Sequence, residues 1–482
     1  MTDLHFRSAV ALAAMVKGGE IGARELLEHF LDRVDRYNPA INAIVFEDRA
    51  GARARADAAD AARARGDALG PLHGVPMTIK ESYDWTGTPA TWGIPELKNR
   101  IATTDALAVQ RLSAGGANIF GKTNVPIRLA DFQSYNEIYG VTGNPWDLSR
   151  TPGGSSGGSA AAIAAGLSGL EIGTDIGGSI RNPAHYCGVF GHKPTWNLNP
   201  TRGHSPTGAL TPPDISVIGP LARSAADLRA ALSLMAGPDL LEAPALSVDL
   251  RGLDKPLSSL RIGVWTSDPL CAPSKEMTER VEAVAAALAA EGAQVDPAAR
   301  PDFEARESDF VFLGLLFSAM ANRMPEAMFA DLVDKAQALA ADDNSPRAWQ
   351  LRWQTMRARD WAGLNERRTR LRWAWHEFFQ KYDVLITPIM PTTAFPHDHR
   401  PEHQRTIVVD GVERAYSTQL FWAGLSGVAY LPSTIIPTGP AADGLPIGVQ
   451  LIGPHYGDMK LIDLAERLEG LGFGFRPPPG YA

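Results

Sequence analysis

The sequence predicts an α/β fold, because short apolar strands alternate with helices along it. One unit begins with a strand that ends at Lys80, continues through a helix at 106–112 and closes with a strand at 117–120. A second unit, at 260–295, repeats the order strand, helix, strand around a helix at 276–291. In a helix that ends near residue 36, Leu26, Leu27, Phe30, Leu31 and Val34 fall on one face, whereas the strands are short apolar runs.

The other segments fit the same class. Residues 8–36 predict two helices broken at Gly18-Gly19, the first of them capped near Ser8. Residues 306–379 predict a long helical region rich in Met and Trp, and residues 236–258 a linker or a surface excursion. The remaining predicted elements are a strand at 41–46, helices at 48–66 and 159–165, a loop at 136–158, strands at 384–390 and 447–452, and a closing helix at 459–471.

The composition excludes several classes of partner. The 482 residues carry a net charge of -8 and a pI of about 5.8, without a long run of Lys or Arg, so neither nucleic acid nor an anionic membrane is expected as a partner. No apolar run reaches the ~20 residues of a membrane span, and a cytoplasmic location is expected. Cys187 and Cys271 are too few for a disulfide framework or a zinc site, so no metal or cofactor is expected.

Two serines flanked by glycines lie 24 positions apart (179 minus 155) and bracket a helix that is almost pure alanine. Ser155 lies in Thr-Pro-Gly-Gly-Ser-Ser-Gly-Gly-Ser, and Ser179 in Gly-Thr-Asp-Ile-Gly-Gly-Ser-Ile-Arg. Glycine permits close approach of the backbone to a ligand. The successive N–H groups of 176–179 could point at one spot and hold a developing oxyanion.

Two other enzyme classes can be compared with this segment. A phosphate-binding P-loop requires a lysine at the start of the helix, and none is present. Gly154-Ser155-Ser156-Gly157-Gly158 formally matches the nucleophile elbow Gly-x-Ser-x-Gly with Ser156 in the centre. An elbow follows a buried strand, however, and residues 144–152, with two prolines, cannot form that strand.

The segment from Gly153 to Thr195 resembles the signature of the amidase signature family. The resemblance extends over nearly the whole chain. It includes His73-Gly-Val-Pro-Met-Thr-Ile-Lys80, Gly121-Lys-Thr-Asn124, Asn144-Pro-Trp146, Gly219-Pro-Leu-Ala-Arg-Ser224 and Gly444-Leu-Pro-Ile-Gly-Val-Gln-Leu-Ile-Gly453. It implies a single domain over residues 1–482, with a large mixed central sheet flanked by helices. It also implies that the helical region at about 306–379 covers the substrate.

The resemblance also implies a Ser–Ser–Lys triad. Ser179 would be the nucleophile, Ser155 the proton relay after a cis peptide, and Lys80 the base. The backbone N–H groups of Ile176, Gly177 and Gly178, extending to Ser179 itself, would form the oxyanion hole. The implied reaction is hydrolysis of a carboxylic amide to a carboxylate and an amine or ammonia through an acyl-enzyme, and ester cleavage is left open.

The position of Lys80 suits a base. A free lysine has a pKa of about 10.4, so its neutral form costs about 4 kcal/mol near neutral pH. Burial at the end of an apolar strand lowers that pKa. Asp175 and Arg181 flank the nucleophile and are expected to form a buried pair that braces the loop. His185, His192 and Cys187 are expected to be structural.

The substrate is expected to be a small apolar or aromatic amide. The helical segment 306–379 has an apolar face that either packs on the core or covers the site, and pockets are mostly apolar. That face carries Phe310, Phe312, Leu315, Leu316, Phe317, Met320, Met324 and Met328, to which Trp92, Phe132, Tyr135 and Trp422 could add aromatic walls. Glu81 and Asn182 depart from the family pattern without touching the triad.

Two other functional classes are open. The family includes the glutaminase subunit of a tRNA-dependent amidotransferase, which works inside a complex. Residues 125–138 look more like the corresponding segment of stand-alone amidases. A homodimer is a possible oligomeric state of such an enzyme. A binding module without catalysis is the third hypothesis, and the intact Lys80, Ser155 and Ser179 argue against it.

Overall fold

The computed structural model describes residues 4–481, and within them strands and helices alternate as an α/β fold. The α-helices are α1 (Ala9–Gly18), α2 (Ala23–Ile41), α3 (Arg49–Arg65), α4 (Leu107–Ala114), α5 (Gly157–Ala164), α6 (Arg181–Cys187), α7 (Ala225–Met235), α8 (Lys275–Ala290), α9 (Ala305–Ala321), α10 (Glu326–Gln337), α11 (Pro346–Gln354), α12 (Ala358–Lys381), α13 (Leu420–Val428) and α14 (Asp458–Gly470). The strands are β1 (Ile44–Glu47), β2 (Pro76–Lys80), β3 (Asn118–Thr123), β4 (Tyr135–Asn136), β5 (Gly140–Val141), β6 (Glu171–Asp175), β7 (Phe190–Lys193), β8 (Val217–Ala222), β9 (Arg261–Val264), β10 (Gln294–Asp296), β11 (Val384–Thr387), β12 (Thr406–Val409), β13 (Val412–Ala415), β14 (Ser433–Pro440) and β15 (Pro446–Ile452).

A mixed eight-stranded sheet with the order β10-β9-β11-β15-β14-β7-β8-β6 forms the centre of the fold. Strand β9 pairs in parallel with β10 and β11, and the other neighbours are antiparallel. This confirms the expected large mixed sheet. A second sheet of three strands, β1-β3-β2, carries Lys80 at the end of β2. The N–H of Thr78 in β2 donates to Ser168 Oγ at 2.9 Å, which ties this sheet to the turn before β6.

The predicted break between the first two helices is confirmed. Ser8 accepts the N–H of Ala11 and begins α1, and Gly19 ends it in the left-handed region with φ of 75°. The predicted helical region is present as α9 to α12. Residues 236–258 form no α-helix or strand and run along the surface, with Leu241 91% exposed.

The sequence analysis missed four strands of the central sheet: β6, β7, β8 and β14. Strand β6 contains Gly173, β8 contains Pro220, and β14 contains Pro437. Glycine and proline weaken the local signal of a strand, so these segments do not stand out from their neighbours. Strand β14 pairs both with its neighbour β15 and with the distant β7, and β6 pairs with β8 rather than with β7, so contacts in the assembled sheet determine their conformation.

The apolar side chains form two clusters. The larger lies between the central sheet and the helices from both ends of the chain. The smaller lies beneath α9, α11, α12 and α13, where Phe312, Trp353, Trp375 and Trp422 pack. No helix within residues 4–481 is both long and apolar enough to cross a bilayer. The assignment of residues 1–482 to one domain stays a prediction.

Candidate active site

The candidate catalytic residues lie at the ends of three elements that meet. Lys80 ends β2, Ser155 precedes α5, and Ser179 lies in the turn between β6 and α6. The N–H of Ser156 donates to the carbonyl oxygen of Ser179 at 3.1 Å, which joins the two serine loops. The structure therefore brings together residues that are up to 99 positions apart in sequence (179 minus 80).

The amine of Lys80 is surrounded by three hydroxyl groups. Its Nζ lies 2.6 Å from Ser155 Oγ, 3.0 Å from Ser156 Oγ and 2.8 Å from Thr174 Oγ1. A neutral amine has two N–H donors and one lone pair. When Ser156 and Thr174 accept the two N–H groups, the lone pair points at Ser155. The sequence analysis missed Thr174 and weighed Ser156 only as an elbow nucleophile.

Burial lowers the pKa of Lys80 well below its ordinary value, because the side chain is completely inaccessible to solvent. The carboxyl groups of Asp175 and Glu171 act in the opposite direction, but burial outweighs them. Burial also raises the pKa of Glu171 to about 8, so this carboxyl is mostly protonated at neutral pH and offers Lys80 little negative charge. The site thus favours the neutral form of the Lys80 amine, which is the form that can accept a proton.

The loop before Ser155 adopts the expected geometry, since the Gly154–Ser155 peptide bond is cis. A Cβ atom at Gly154 would lie 2.3 Å from the backbone oxygen of Asp131, so only glycine fits. The N–H of Gly154 donates to Asn182 Oδ1 at 3.0 Å. Asn182, a departure from the family pattern, therefore positions the serine loop.

The hydroxyl groups of Ser155 and Ser179 are not hydrogen-bonded to each other within the described residues. Ser179 is 7% exposed and faces a cavity, whereas Ser155 is 1% exposed and contacts Lys80. Hydrogen bonds between catalytic groups are often long in free enzymes and shorten when substrate binds. The contact between Lys80 and Ser155 is thus formed in the free protein, and the contact between Ser155 and Ser179 is not.

Asp175 braces the turn that carries Ser179. Its carboxylate accepts the N–H groups of Gly178 at 2.8 Å and Ile180 at 3.0 Å, and both Nε and an Nη of Arg181 bind it. Burial alone would raise the pKa of Asp175, but the charge and hydrogen bonds of Arg181, helped by Lys193, lower it to about 2. The expected buried pair is confirmed.

The same contacts change the set of oxyanion donors that the sequence predicted. The N–H of Gly178 is already donated to Asp175, so it is not free to face a ligand. The N–H groups of Ile176, Gly177 and Ser179 have no acceptor within residues 4–481. The expectation that Gly178 is an oxyanion donor is therefore corrected. One of the four N–H groups of this turn, that of Gly178, is used to bind Asp175, the carboxylate that stabilises the turn.

A cavity of about 80 Å³ lies beside Ser179, and its walls are mainly apolar. Four predicted residues line it: Phe132, Leu316, Phe317 and Met320. Phe312, Leu315 and Trp422 are buried in the core instead, and Trp92 packs against His204. Tyr135, Phe310, Met324 and Met328 are also absent from the lining. The sequence analysis missed Glu402, Tyr416 and Leu420, which a later segment contributes without a local signal.

The remaining candidates are structural. His185 lies between the carbonyl oxygens of Gly448 and Thr392, each at 3.0 Å, and His192 contacts Asp458 at 3.1 Å. Burial raises the pKa of the Cys187 thiol well above its ordinary value, so this cysteine is unreactive. Within residues 4–481 no group of three or more His, Cys, Asp or Glu side chains could hold a metal ion.

The α/β fold, the buried lysine bound to a serine and the second serine at a cavity define the class of serine-type hydrolases. Comparison with known proteins identifies the family: the family model "Amidase" matches residues 25–462. The chain belongs to this amidase family and is an amide hydrolase.

Three similar proteins illustrate the breadth of the family. An indoleacetamide hydrolase of Bradyrhizobium diazoefficiens is 33% identical, covering 96% of this chain and 86% of that protein. A glutamyl-tRNA(Gln) amidotransferase subunit of Acidothermus cellulolyticus is also 33% identical, covering 97% and 95%. The solved structure of a 6-aminohexanoate cyclic dimer hydrolase complexed with substrate has a TM-score of 0.80 and 28% identity, covering 98% of this chain and 99% of that one.

Proposed function

We propose that this amidase acts through an acyl-enzyme on Ser179, with Ser155 as relay and Lys80 as base. The observation that carries the proposal is the set of three hydroxyl groups around Lys80 Nζ, which aims its lone pair at Ser155.

The proposed reaction runs in two halves. Lys80 accepts the proton of Ser155 while Ser155 accepts that of Ser179, whose Oγ attacks the carbonyl carbon. The N–H groups of Ile176, Gly177 and Ser179 stabilise the oxyanion. The C–N bond breaks as the proton returns through Ser155 to the leaving amine. Water then attacks the acyl group by the same route and releases the carboxylate.

Activity should rise with pH through the lowered pKa of Lys80 and stay high above it, because only the neutral amine accepts a proton. Thr174→Val should lower kcat about tenfold by removing one acceptor that orients the amine. It should also move the acidic limb of the kcat/KM profile to lower pH, because the ammonium form loses a hydrogen bond and the pKa falls further.

The measurement is a pH series of kcat/KM for wild type, Thr174→Val and the exposed control Thr103→Val. The control should reproduce the wild-type profile. A lower rate without any movement of the acidic limb would assign Thr174 a packing role only.

The cavity favours an apolar or aromatic amide over free glutamine. Its charged lining residues, Asp131 and Glu402, are both acidic. Arg405, which contacts this lining, is bound to Asp131 at 2.6 Å and to Tyr135 Oη at 2.9 Å. The α-carboxylate of glutamine would therefore meet two acidic lining residues, and no Lys or Arg lines the cavity within the described residues. The name of the indoleacetamide hydrolase, a relative, agrees with this substrate class.

We expect kcat/KM to rise from acetamide through longer aliphatic amides to aryl amides, because each buried methylene adds about 0.8 kcal/mol of binding. The purified chain should act without a partner subunit, and glutamine should be a poor substrate. Steady-state kinetics on this series check both points. A flat series, or hydrolysis of glutamine that requires a second subunit, would favour the amidotransferase function instead.

We also propose a cytoplasmic enzyme that works on small amides either as a monomer or as a homodimer. The two buried free thiols, Cys187 and Cys271, agree with a reducing compartment. Sedimentation of the active protein measures its oligomeric state.

A further inference from the structure

Two carboxylates line the cavity beside Ser179, and that of Glu402 has no direct hydrogen-bond or ion-pair partner within residues 4–481. Glu402 lies in the short 3-10 helix Glu402–Gln404, just before β12, and its exposed side chain lines the cavity. Within residues 4–481 this carboxylate accepts no hydrogen bond and forms no ion pair. Its position at a mainly apolar cavity makes it a polar group that a ligand can reach.

The other charged lining residue, Asp131, is already paired. One carboxylate oxygen of Asp131 accepts from Arg405 at 2.6 Å, and the other accepts from Tyr416 Oη at 2.7 Å. Arg405 also donates to Tyr135 and to the carbonyl oxygen of Arg400. Asp131 and Arg405 are 8% and 6% exposed at their side chains, so this network is part of the wall. Glu402 is the charged lining residue that has no such partner within residues 4–481.

We propose that Glu402 determines specificity by selecting amides whose apolar or aromatic body ends in an N–H donor. The inference rests on the proposed function and refines its substrate class. The apolar walls formed by Phe132, Leu316 and Phe317 hold the body of the substrate. The carboxylate of Glu402 accepts a hydrogen bond from a terminal ammonium or from a ring N–H. A terminal carboxylate is repelled.

The chemistry of a carboxylate explains both which substrates are preferred and how large the preference should be. A carboxylate has two oxygens and accepts from both neutral and charged N–H groups, and charge-assisted hydrogen bonds are the stronger ones. Because Glu402 is exposed, solvent screens the interaction, and the expected discrimination is about tenfold rather than thousands. Desolvation at the cavity, with the negative charge of Asp131, raises the pKa of Glu402, so its ionised form gains from a donor in the ligand.

The test compares kcat/KM for five amides. Three share one ring: para-ethyl-, para-aminomethyl- and para-carboxy-phenylacetamide. The other two are indoleacetamide and its analogue methylated on the ring nitrogen, which lacks the ring N–H donor. In wild type the aminomethyl compound should exceed the carboxy compound at least about tenfold, and indoleacetamide should exceed its methylated analogue.

Glu402→Gln should reduce the ratio of aminomethyl to carboxy substrate about tenfold, and Glu402→Lys should invert the order. The matched control is Glu413→Gln, which removes the same charge from an exposed position on β13 outside the cavity and should leave the ratio as in wild type. An unchanged ratio in both Glu402 variants overturns the proposal. If wild type does not prefer longer or aryl amides over acetamide, the apolar substrate class itself has failed, which is a separate result.

Discussion

Ser179→Ala should lose at least about four orders of magnitude in kcat while keeping the wild-type fold. The loss follows from the proposed chemistry, since removal of a nucleophile costs about as much as removal of the whole catalytic set. The fold should survive because the hydroxyl of Ser179 faces the cavity and is not needed by the turn, which Asp175 and Arg181 hold.

The experiment combines kinetics with covalent labelling. Mass spectrometry of wild type treated with a fluorophosphonate should show one adduct, on the peptide that contains Ser179, and none in Ser179→Ala. The exposed Ser113→Ala is the control and should retain full activity and labelling. Substantial turnover by Ser179→Ala, or labelling at Ser156, would transfer the nucleophile to another residue and restore the elbow hypothesis.

Asp175→Asn should be the most destabilising conservative substitution near the site. Arg181 is completely buried, and Asp175 is the carboxylate that balances its charge. The other acceptors of Arg181 are neutral: the carbonyl oxygen of Ala423, Ser426 Oγ and Gln450 Oε1. Removing one partner of a buried pair costs about 3–5 kcal/mol, because the remaining charge is left without compensation.

The pH dependence gives this prediction a sign. The pKa of Asp175 is lowered to about 2, against an ordinary value of about 3.9. The ionised carboxylate therefore stabilises the folded state fully above about pH 4, and the contribution is lost as the pH falls through about 2. Urea unfolding at several pH values should show a large difference between wild type and Asp175→Asn at neutral pH that shrinks towards pH 2.

The control for this substitution is Asp360→Asn, which breaks an exposed ion pair with Arg357 and should not measurably change the unfolding midpoint. Activity adds a second readout. Because Asp175 accepts the N–H groups of Gly178 and Ile180, Asp175→Asn should also lower kcat of the folded fraction. Equal stability of wild type and Asp175→Asn at neutral pH would show that the pair is not the brace of the turn.

The sequence by itself determined the features that depend on local pattern and on a long motif. Apolar periodicity located most helices and several strands, and the glycine–serine loops with Lys80 identified the candidate triad. The buried pair of Asp175 and Arg181 could be predicted because opposite charges beside a nucleophile in an apolar segment must neutralise each other.

Only the tertiary structure decided which groups complete the site. Thr174 and Ser156 reach Lys80 because β6 and the loop before α5 pack against the end of β2. Gly178 cannot serve as a free donor because its N–H holds the carboxylate of the turn. Glu402 lines the cavity from a segment more than 200 positions away from Ser179 (402 minus 179). Such contacts have no local signal, since they arise from chain segments that meet only when the sheet and its covering helices assemble.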